Sequence, residues 1–480
     1  MIEVHSEKIT EAVKDLILDR SYHLPTDVRC ALETAFINEG ESLPKYILAE
    51  CISNFQIADE GQYPLCQDTG TALFFVEIGE DVFVRGNLTD AVNQGVREAY
   101  TEGYLRKSQV ADPLFDRINT KDNTPAIIYA IFVRGDKIKI SFLAKGGGAE
   151  NCCALGMLTP SQGVDGITDF VVETVKKASG KPCPPIIVGV GIGGTADSVG
   201  VLAKYALLKK IGQRHPDIRY AKLEEDILQR INSLNIGAQG LGGKTTAFDV
   251  HIETAPCHIA SMPVGVAINC HSSRHGSVII GKSKIIFEKD EKYVTRQLQI
   301  KVDNIKKIAL PLSLDDVREL SAGDIVSISG TIYTARDAAH KRLLEAIKNN
   351  EKLPFNLQGQ AIYYAGPSPN RPGKPIGSCG PTTSIRLDSF SDELLKQGLK
   401  VMIGKGPRTS QTMELMQKYG AIYLACVGGA AAVTTTKIKS SEIIAYKDLG
   451  PEAIHKLAVE NFVCIVAVDS FGRSLYTTGK

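Results

Sequence analysis

The sequence predicts a mixed α/β fold with a larger N-terminal α+β domain and a smaller C-terminal domain. Its 480 residues are enough for two or three domains. Apolar residues recur at helical spacing over the first sixty residues, and short apolar runs typical of strands begin at Thr71. A charged stretch at 283–305 separates two halves that both combine helices and strands. We therefore expect an N-terminal domain at 1–285, a linker at 286–305 and a C-terminal domain at 306–480.

Apolar periodicity assigns most of the individual elements. Ile9, Ala12, Val13, Leu16 and Ile17 recur with the spacing of one helix face and predict the first helix. Further helices are predicted at 26–38, 42–58, 167–177, 196–211 and 338–348. Strands are predicted at 72–78, 184–190, 324–329 and 361–364, and a hairpin at 125–134 and 137–143 around Arg134-Gly-Asp136.

Composition and charge exclude several classes of protein. Lys and Arg total 55 against 54 for Asp and Glu, a net charge of +1, so the chain lacks the positive excess typical of nucleic-acid binding. The longest apolar run, at 186–192, is too short to cross a bilayer. The first residues lack the layout of a secretion signal. We therefore expect a cytoplasmic protein with no nucleic-acid or membrane partner.

The cysteines are eleven in number and irregular in spacing, which argues against a disulfide framework. No C-x-x-C pair occurs, so zinc ribbons, thioredoxin motifs and ferredoxin-type runs are excluded. Most of these thiols are expected to pack as small apolar groups. A minority can be metal ligands only if distant loops bring them together.

Two glycine motifs have the pattern of nucleotide-binding loops. Gly189-Val-Gly-Ile-Gly-Gly194 fits G-x-G-x-x-G between a predicted strand and a predicted helix. It lies far from an opening βαβ unit and no suitably placed acidic residue follows it, so the alternative is a turn that allows close backbone approach. Residues 238–245 form a relaxed phosphate-loop pattern, but a strand-like alternation follows them. Lys244 and the nearby threonines can still line a site for a smaller anion.

Polar residues surround three of the cysteines. Cys66 lies in Pro-Leu-Cys-Gln-Asp-Thr-Gly at 64–70, Cys183 stands among three prolines, and Cys270 ends an apolar strand before a cationic and imidazole-rich stretch. Each segment alone is compatible with a structural role. Together with the glycine loop at 145–148, whose backbone N–H groups suit an oxyanion, they indicate a metal cluster with ligands far apart in the sequence.

These segments resemble the class I fumarate hydratases, which are oxygen-sensitive iron–sulfur hydro-lyases, and the related tartrate dehydratases. The resemblance covers nearly the whole chain, with the α and β parts of the split enzymes fused in that order. It rests on the segments 64–70, 145–151, 240–247, 258–271, 330–340 and 380–388. It implies that the C-terminal domain is of a swivelling β/β/α type, that the protein is a homodimer and that its partner is a small dicarboxylate.

The resemblance also implies the roles of particular residues. Cys66, Cys183 and Cys270 become the thiolate ligands of a [4Fe–4S] cluster, and three ligands leave one iron open as a Lewis acid. Thr382 takes the place of the catalytic base, with Asp68 as its candidate partner because a threonine hydroxyl alone is too weak a base. The residues expected to contact substrate are Gln67, Arg106, Gly147, His258, Arg336, Thr383, Arg386 and Lys405. Taken singly, each cation can equally be a surface charge, and the histidine a core residue.

The function implied by the resemblance is reversible hydration of fumarate to (S)-malate. Tartrate and mesaconate are alternative substrates for the same mechanism, since they differ from fumarate and malate only by a hydroxyl or a methyl group. Two alternatives come from other classes. One is an NAD-dependent dehydrogenase built on the Gly189 turn, and the other is a non-catalytic iron or oxygen sensor that holds a cluster without turnover.

Overall fold

Helices and strands alternate along both halves of the chain in the computed structural model, which describes residues 2–282, 284–288 and 304–476. Most of the predicted linker at 286–305 lies outside these described residues, and its first two residues belong to a strand. Within the described ranges, no helix is both long enough and apolar enough to cross a membrane.

The elements of the N-terminal half follow the predicted alternation. Its described helices are α1 (Ser6–Tyr22), α2 (Thr26–Asn38), α3 (Ser42–Asp59), α4 (Leu88–Glu102), α5 (Gly147–Glu150), α6 (Gly163–Ala178), α7 (Val199–Ala206) and α8 (Ile218–Ser233). Its described strands are β1 (Ile2–His5), β2 (Thr71–Gly79), β3 (Val82–Arg85), β4 (Ile127–Val133), β5 (Ile138–Lys145), β6 (Ala154–Leu158), β7 (Ile186–Gly193), β8 (Ala247–Ala255), β9 (Met262–Asn269), β10 (His275–Ile280) and β11 (Ile285–Phe287).

These strands form three sheets. β1 and β3 pair in parallel, a five-stranded sheet has the order β11-β10-β5-β2-β4, and a four-stranded sheet has the order β6-β9-β7-β8. The residues that predicted the first helix are all buried on one face of α1. They pack in one hydrophobic cluster with Phe74 of β2 and Phe142 of β5, so the face predicted from periodicity is confirmed.

The predicted hairpin at 125–134 and 137–143 is wrong, although both of its strands form. β2 lies between them, parallel to β4 and antiparallel to β5. β2 is almost wholly buried, which fits an interior strand that pairs along both of its edges. The turn around Gly135 passes over the end of β2, where the Gly79 amide donates to the carbonyl oxygen of Lys137 at 2.9 Å.

The predicted helix at 196–211 is shorter in the structure, where it is α7. Carboxylates from elsewhere bind the backbone amides that follow it. Asp27 accepts from the Ile211 amide at 2.9 Å and Asp249 accepts from the Gly212 amide at 2.6 Å. These side-chain acceptors replace the helical carbonyl acceptors, so the chain turns away from the helix axis.

The G-x-G-x-x-G motif lets α7 pack directly against β7. A Cβ atom at Gly191 would overlap the carbonyl oxygen of Val199 and lie 2.8 Å from the Ala203 nitrogen. A Cβ at Gly189 would likewise overlap the Ala203 oxygen. The glycines therefore permit close backbone approach between strand and helix, which is the alternative to dinucleotide binding.

The C-terminal half has its own elements. Its described helices are α9 (Leu314–Arg318), α10 (Asp337–Lys348), α11 (Ser391–Lys396), α12 (Ser410–Tyr419) and α13 (Ala431–Thr435). Its described strands are β12 (Lys306–Ala309), β13 (Ile325–Thr334), β14 (Ala361–Tyr363), β15 (Val401–Gly404), β16 (Ile422–Ala425), β17 (Ile438–Ala445) and β18 (Ile454–Val468).

One seven-stranded sheet holds all of these C-terminal strands, in the order β12-β13-β14-β15-β16-β18-β17. β18 pairs with β16 and also with β13, so the sheet closes on itself. Its interior is filled by apolar side chains that include Tyr363 and Phe462. The two rings meet edge to face with their centroids 5.3 Å apart.

The two halves of the chain share a hydrophobic core. One cluster of buried side chains combines α3 residues such as Phe55 with Tyr423 of β16 and Ala432 of α13. The Val433 amide donates to the Asn54 side-chain oxygen at 3.1 Å across the same contact. This junction fixes the position of the loops that follow α3 and β16, and those loops carry the candidate site.

A pair of glycine substitutions tests the packing of α7 on β7. We expect Gly191→Ala to destabilise the protein by about 1–3 kcal/mol, because its methyl group would push the helix from the strand. In Gly200→Ala, at the start of the same helix, the new methyl group meets no atom within 4 Å. That control should be neutral or stabilising by up to about 1 kcal/mol. Urea-unfolding midpoints measure both changes, and equal midpoints for the two variants would contradict the packing.

Candidate active site

Three cysteines from distant segments meet beside the junction of the two halves. Cys66 lies between α3 and β2, Cys183 immediately precedes β7, and Cys270 immediately follows β9. β7 and β9 are antiparallel neighbours with Ile187 opposite Asn269, so Cys183 and Cys270 lie at the same end of the four-stranded sheet. The long-range convergence predicted for these three residues is therefore present in the fold.

Cys66 and Cys183 are buried, Cys270 is half-buried, and the three thiols are close enough to influence one another. Burial raises the pKa of each thiol. The neighbouring thiols add to this effect: Cys270 raises the pKa of Cys66, and Cys183 raises that of Cys270. Cys66 in turn raises the pKa of Cys183. Nearby cations are therefore needed if these residues are to act as thiolates.

Two cations lie next to the thiols. Lys405 follows β15, and its Nζ is 2.7 Å from the Cys183 sulfur and 3.2 Å from the Lys181 carbonyl oxygen. Burial raises the pKa of both Cys183 and Cys66, whereas the charge of Lys405 lowers it for Cys183 and that of Arg274 lowers it for Cys66. Positive charge from both halves of the chain is thus concentrated at the sulfur atoms.

Gln67, Thr382, Thr383 and Lys405 lie together, as the sequence predicts. The Gln67 amide donates to the Pro381 carbonyl oxygen at 3.2 Å. The Lys405 amide donates to the Thr382 carbonyl oxygen at 3.2 Å, and Thr383 pairs with Lys405 in an isolated bridge. The two threonines are therefore held between the Cys66 segment and the lysine that contacts Cys183.

Asp68 is a partly buried carboxylate surrounded by cations. It accepts a hydrogen bond from the Gly147 amide at 3.0 Å and lies 3.4 Å from Nη2 of Arg106. Burial raises its pKa, but the charges of Arg106, Arg274, Lys405 and Arg336 outweigh that effect and hold the pKa below its usual value. Asp68 is therefore ionised at neutral pH. Among the described residues, its side chain makes no hydrogen bond with Thr382.

The guanidinium groups of Arg106, Arg336 and Arg386 lie close enough to influence one another, and the first two also act on Asp68. Arg106 donates to the Gly366 carbonyl oxygen at 3.0 Å, and Arg386 donates to Asp337 at 2.6 Å. Burial and the charges of Arg106 and Arg386 lower the pKa of Arg336, and they outweigh the carboxylates of Glu452 and Asp337, which lie 3.4 and 3.7 Å from its Nη2 and raise the pKa. The buried Nε of Arg336 has no hydrogen-bond partner in the described part of the chain. Since like charges repel, this arrangement favours an added anion.

His258 is the one predicted site residue that this chain does not bring to the others. It lies, exposed, on the loop between β8 and β9. That loop is at the far end of the four-stranded sheet from Cys183 and Cys270, about 20 Å away along β7. A sequence motif records which residues occur together in a family, but it does not report which end of a strand each residue occupies.

In the glycine loop at 238–245, Gln239 contacts the main chain beside Cys183, whereas Lys244 does not. Gln239 exchanges two hydrogen bonds with the main chain of Gly428, at 2.9 and 3.1 Å. A Cβ at Gly428 would lie 2.5 Å from the Cys183 sulfur. The hydrogen bonds from Gln239 therefore fix a main-chain segment that packs directly against this thiol. Lys244 points elsewhere and donates to the Asn38 carbonyl oxygen at 3.1 Å. Lys244 therefore does not take part in the contacts around the thiols.

Sequence reasoning also missed His271 and Arg274, although both follow Cys270 closely. His271 lies 2.8 Å from the Gly428 carbonyl oxygen and 3.7 Å from the Cys51 sulfur. Burial lowers its pKa to about 4, so the imidazole is neutral. Arg274 is buried beside the thiols and donates to the Asp68 main-chain oxygen at 2.6 Å. The cationic and imidazole-rich stretch that follows Cys270 was the available signal.

Two protein-family models together match nearly the whole chain. Residues 10–279 match the model described as fumarate hydratase (fumerase), and residues 281–479 match the model described as fumarase C-terminus. The fold and the buried, cation-rich site are thus those of an enzyme of the hydro-lyase class. The chain belongs to the class I fumarate hydratase family.

Individual relatives agree with this assignment. The chain is 34% identical to the anaerobic class I fumarate hydratase of Escherichia coli (strain K12), over 99% of this chain and 91% of that protein. It is also 34% identical to the mitochondrial fumarate hydratase 1 of Leishmania major, over 91% and 84% of the two chains. The "Putative L(+)-tartrate dehydratase subunit alpha" of Methanocaldococcus jannaschii is 46% identical over 56% of this chain and 95% of its own length.

Proposed function

We propose that this protein catalyses the reversible hydration of fumarate to (S)-malate, a reaction of the tricarboxylic acid cycle. The single observation that carries the proposal is the excess of cations beside the three thiols. Five cations, Arg106, Arg274, Arg336, Arg386 and Lys405, interact with the three carboxylates Asp68, Asp337 and Glu452, and the Nε of Arg336 lacks a partner among the described residues. A small dianion supplies the missing negative charge and the missing acceptors.

We propose that Cys66, Cys183 and Cys270 hold a [4Fe–4S] cluster. No group of three His, Cys, Asp or Glu side chains in the described residues is arranged to hold a single metal ion. A cluster spreads its thiolate ligands over different irons, so its cysteines need not converge on one point. The adjacent cations Lys405 and Arg274 fit an anionic sulfur-rich group. With three protein thiolates the cluster supplies one iron that acts as a Lewis acid.

The residues of this chain bind and orient the substrate in the proposed reaction. Arg106, Arg336 and Arg386 would bind the two carboxylates, because planar guanidinium groups match carboxylate geometry with two parallel hydrogen bonds. The backbone of Gly147 and the side chains of Gln67, Thr383 and Lys405 line the same space, as the contacts described above indicate. These fixed cations also stabilise the negative charge that develops on the substrate, next to a carboxylate, when a proton leaves C3.

Thr382 is the proposed base and Asp68 its proposed partner. Asp68 is ionised, so it can accept a proton. Its two oxygens already accept from the Gly147 amide and lie near Arg106. Each oxygen keeps a free lone pair, but Asp68 makes no hydrogen bond with Thr382 in the described residues, so proton transfer between them requires the two side chains to approach when substrate binds.

Tartrate is the second candidate substrate, because of the relative from Methanocaldococcus jannaschii.

The swivelling β/β/α class of the C-terminal half remains a prediction, and so do the domain limits at 285 and 306. An NAD-dependent dehydrogenase is no longer a candidate, because the glycines of its supposed fingerprint serve the packing of α7 on β7.

The choice of substrate can be measured directly. Anaerobically purified, iron-reconstituted protein is incubated separately with fumarate, (S)-malate, tartrate and mesaconate, and alkene absorbance gives each rate. We expect the highest kcat/KM for fumarate and malate. A higher value for tartrate or mesaconate would replace the substrate and keep the hydro-lyase chemistry. A bound cluster without turnover of any of the four would instead favour the sensor alternative.

Cysteine substitutions test the ligand set. We expect Cys66→Ala, Cys183→Ala and Cys270→Ala each to abolish both the cluster absorbance and the activity, since each removes a thiolate ligand. Cys51→Ala is the matched control, because Cys51 is buried near the same thiols but packs against His271. It should keep its full iron content. Iron and sulfide analysis decides, and a full cluster in any of the first three variants would contradict the assignment.

Arginine substitutions test the dianion pocket. Arg336→Lys keeps the charge but loses the planar fork, so we expect kcat/KM to fall at least about tenfold. Arg342→Lys is the control on the same helix, because Arg342 is a surface residue that pairs with Asp448 at 2.8 Å. It should change kcat/KM by less than about twofold. If the two variants had equal kcat/KM values, Arg336 would not be part of the site.

We also propose that the protein is a homodimer in which His258 serves the site of the second copy. The loop that carries His258 exposes 92% of Ile259, and the adjoining edge strand β6 exposes Leu155 and Met157. β6 pairs with β9 next to this loop, so the three side chains belong to one exposed apolar surface. Such surfaces are typical of subunit interfaces. In a symmetric dimer, a residue that is remote from its own site can lie close to the partner's.

Complementation between two inactive variants tests this arrangement. His258→Asn lacks the imidazole, and Cys66→Ala lacks the cluster. After unfolding and refolding of a mixture, each mixed dimer has one site with both the cluster and an intact His258, so activity should recover to about a quarter of wild type. A mixture of Cys66→Ala with Cys183→Ala is the control and should stay inactive. No recovery in the first mixture, although mixed dimers form, would show that His258 acts within its own chain or has no role.

A further inference from the structure

A buried arginine beside the thiols has more donors than partners. Arg274 lies between Cys270 and β10, and only 2% of it is exposed. Its Nη2 donates to the main-chain oxygen of Asp68 at 2.6 Å. Its Nε and Nη1 are buried and have no hydrogen-bond partner within the described ranges. Unpaired N–H groups on a buried cation are strongly unfavourable, so this position calls for an anionic acceptor.

The acceptor has to lie on the cysteine side of the site. The Asp68 amide donates to the Cys66 sulfur at 3.4 Å, and the carbonyl oxygen of the same residue accepts from Arg274 at 2.6 Å, which places the guanidinium beside the Cys66 segment. The cations that act on Arg336 are instead Arg106 and Arg386. The cations thus fall into two groups, one around the thiols and one around the proposed substrate carboxylates.

We propose that Arg274 donates its free N–H groups to sulfur atoms of the cluster held by Cys66 and Cys270, and that it thereby sets the cluster's reduction potential. The inference rests on the proposed function, because that function supplies the cluster. Hydrogen bonds to the sulfurs and a fixed positive charge stabilise the reduced, more negative cluster. Arg274 is in this respect a positioning residue that does not touch the substrate.

The same guanidinium also joins two ligand segments. It is covalently part of the Cys270 segment, and its Nη2 holds the main chain of Asp68, two residues after Cys66. A purely structural role for Arg274 would end with this contact. If Arg274 also donates to the cluster, it changes the cluster's reduction potential. A structural contact alone does not change that potential.

The test uses three variants of the full chain, reconstituted anaerobically with iron and sulfide and kept free of substrate. Arg274→Gln removes the charge, Arg274→Lys keeps the charge without the fork, and Arg336→Gln removes one charge from the substrate group as a matched control. A redox titration followed by electron paramagnetic resonance gives the cluster's midpoint potential. Iron analysis and circular dichroism establish that each variant is loaded and folded.

We expect Arg274→Gln to disfavour the reduced cluster at least tenfold, which is a shift of about 59 mV to lower potential for a one-electron couple. Arg274→Lys should shift the potential in the same direction by a smaller amount, and Arg336→Gln should change the equilibrium less than threefold. If Arg274→Gln does not fold, Arg274→Lys decides, and a loaded lysine variant with the wild-type potential would overturn the inference.

Two further outcomes would also overturn it. A rise in the KM for fumarate in Arg274→Gln with an unchanged potential would assign Arg274 to the substrate. An equal shift in Arg336→Gln would show that remote charge acts without hydrogen bonds to the cluster. Failure of the wild-type protein to assemble any cluster is a different result, because it contradicts the proposed function itself.

Discussion

The structure depends on a charge balance in a buried space between the two halves of the chain. Arg106, Arg274, Arg336 and Lys405 all act on Asp68, which is the only carboxylate among these five residues. The thiols next to them are neutral unless cations or metal favour their ionised form. Asp337 and Glu452 pair with Arg336, and Asp337 also with Arg386, but the cations still outnumber these three carboxylates, so the site favours added negative charge. A thiolate-bound cluster and a dianionic substrate would together restore that balance.

The fold is arranged so that both halves supply parts of the site. The segment before Cys66 is held by the C-terminal half, since the Ser378 hydroxyl donates to the Pro64 carbonyl oxygen at 2.7 Å. The N-terminal Arg106 donates to Gly366, and the C-terminal Lys405 reaches Cys183. The hydrophobic core that α3 and α13 share holds these contacts in place. Separation of the halves would open the site, so catalysis and the packing of the junction are linked.

Local sequence patterns predicted the elements, and resemblance predicted the convergence of Cys66 and Lys405, but neither predicted long-range pairing. The predicted pairing of β4 with β5 does not occur, because β2, which is distant in the sequence, pairs with the edge of β5 that β4 would have used. The glycine loop at 238–245 and Arg274 were not assigned to the thiols, because their partners become neighbours only after the sheets have formed. His258 could not be placed, because no periodicity in the chain reports distance along a sheet.

The most direct test of the account concerns the state of the iron in the intact enzyme. Mössbauer spectroscopy of anaerobic protein reconstituted with ⁵⁷Fe resolves the iron sites with and without fumarate. If Cys66, Cys183 and Cys270 hold a four-iron cluster as proposed, about three quarters of the signal should be insensitive to fumarate and about one quarter should change when it binds. A spectrum without a four-iron cluster, or one in which all the irons are equivalent and unaffected by fumarate, would contradict the account.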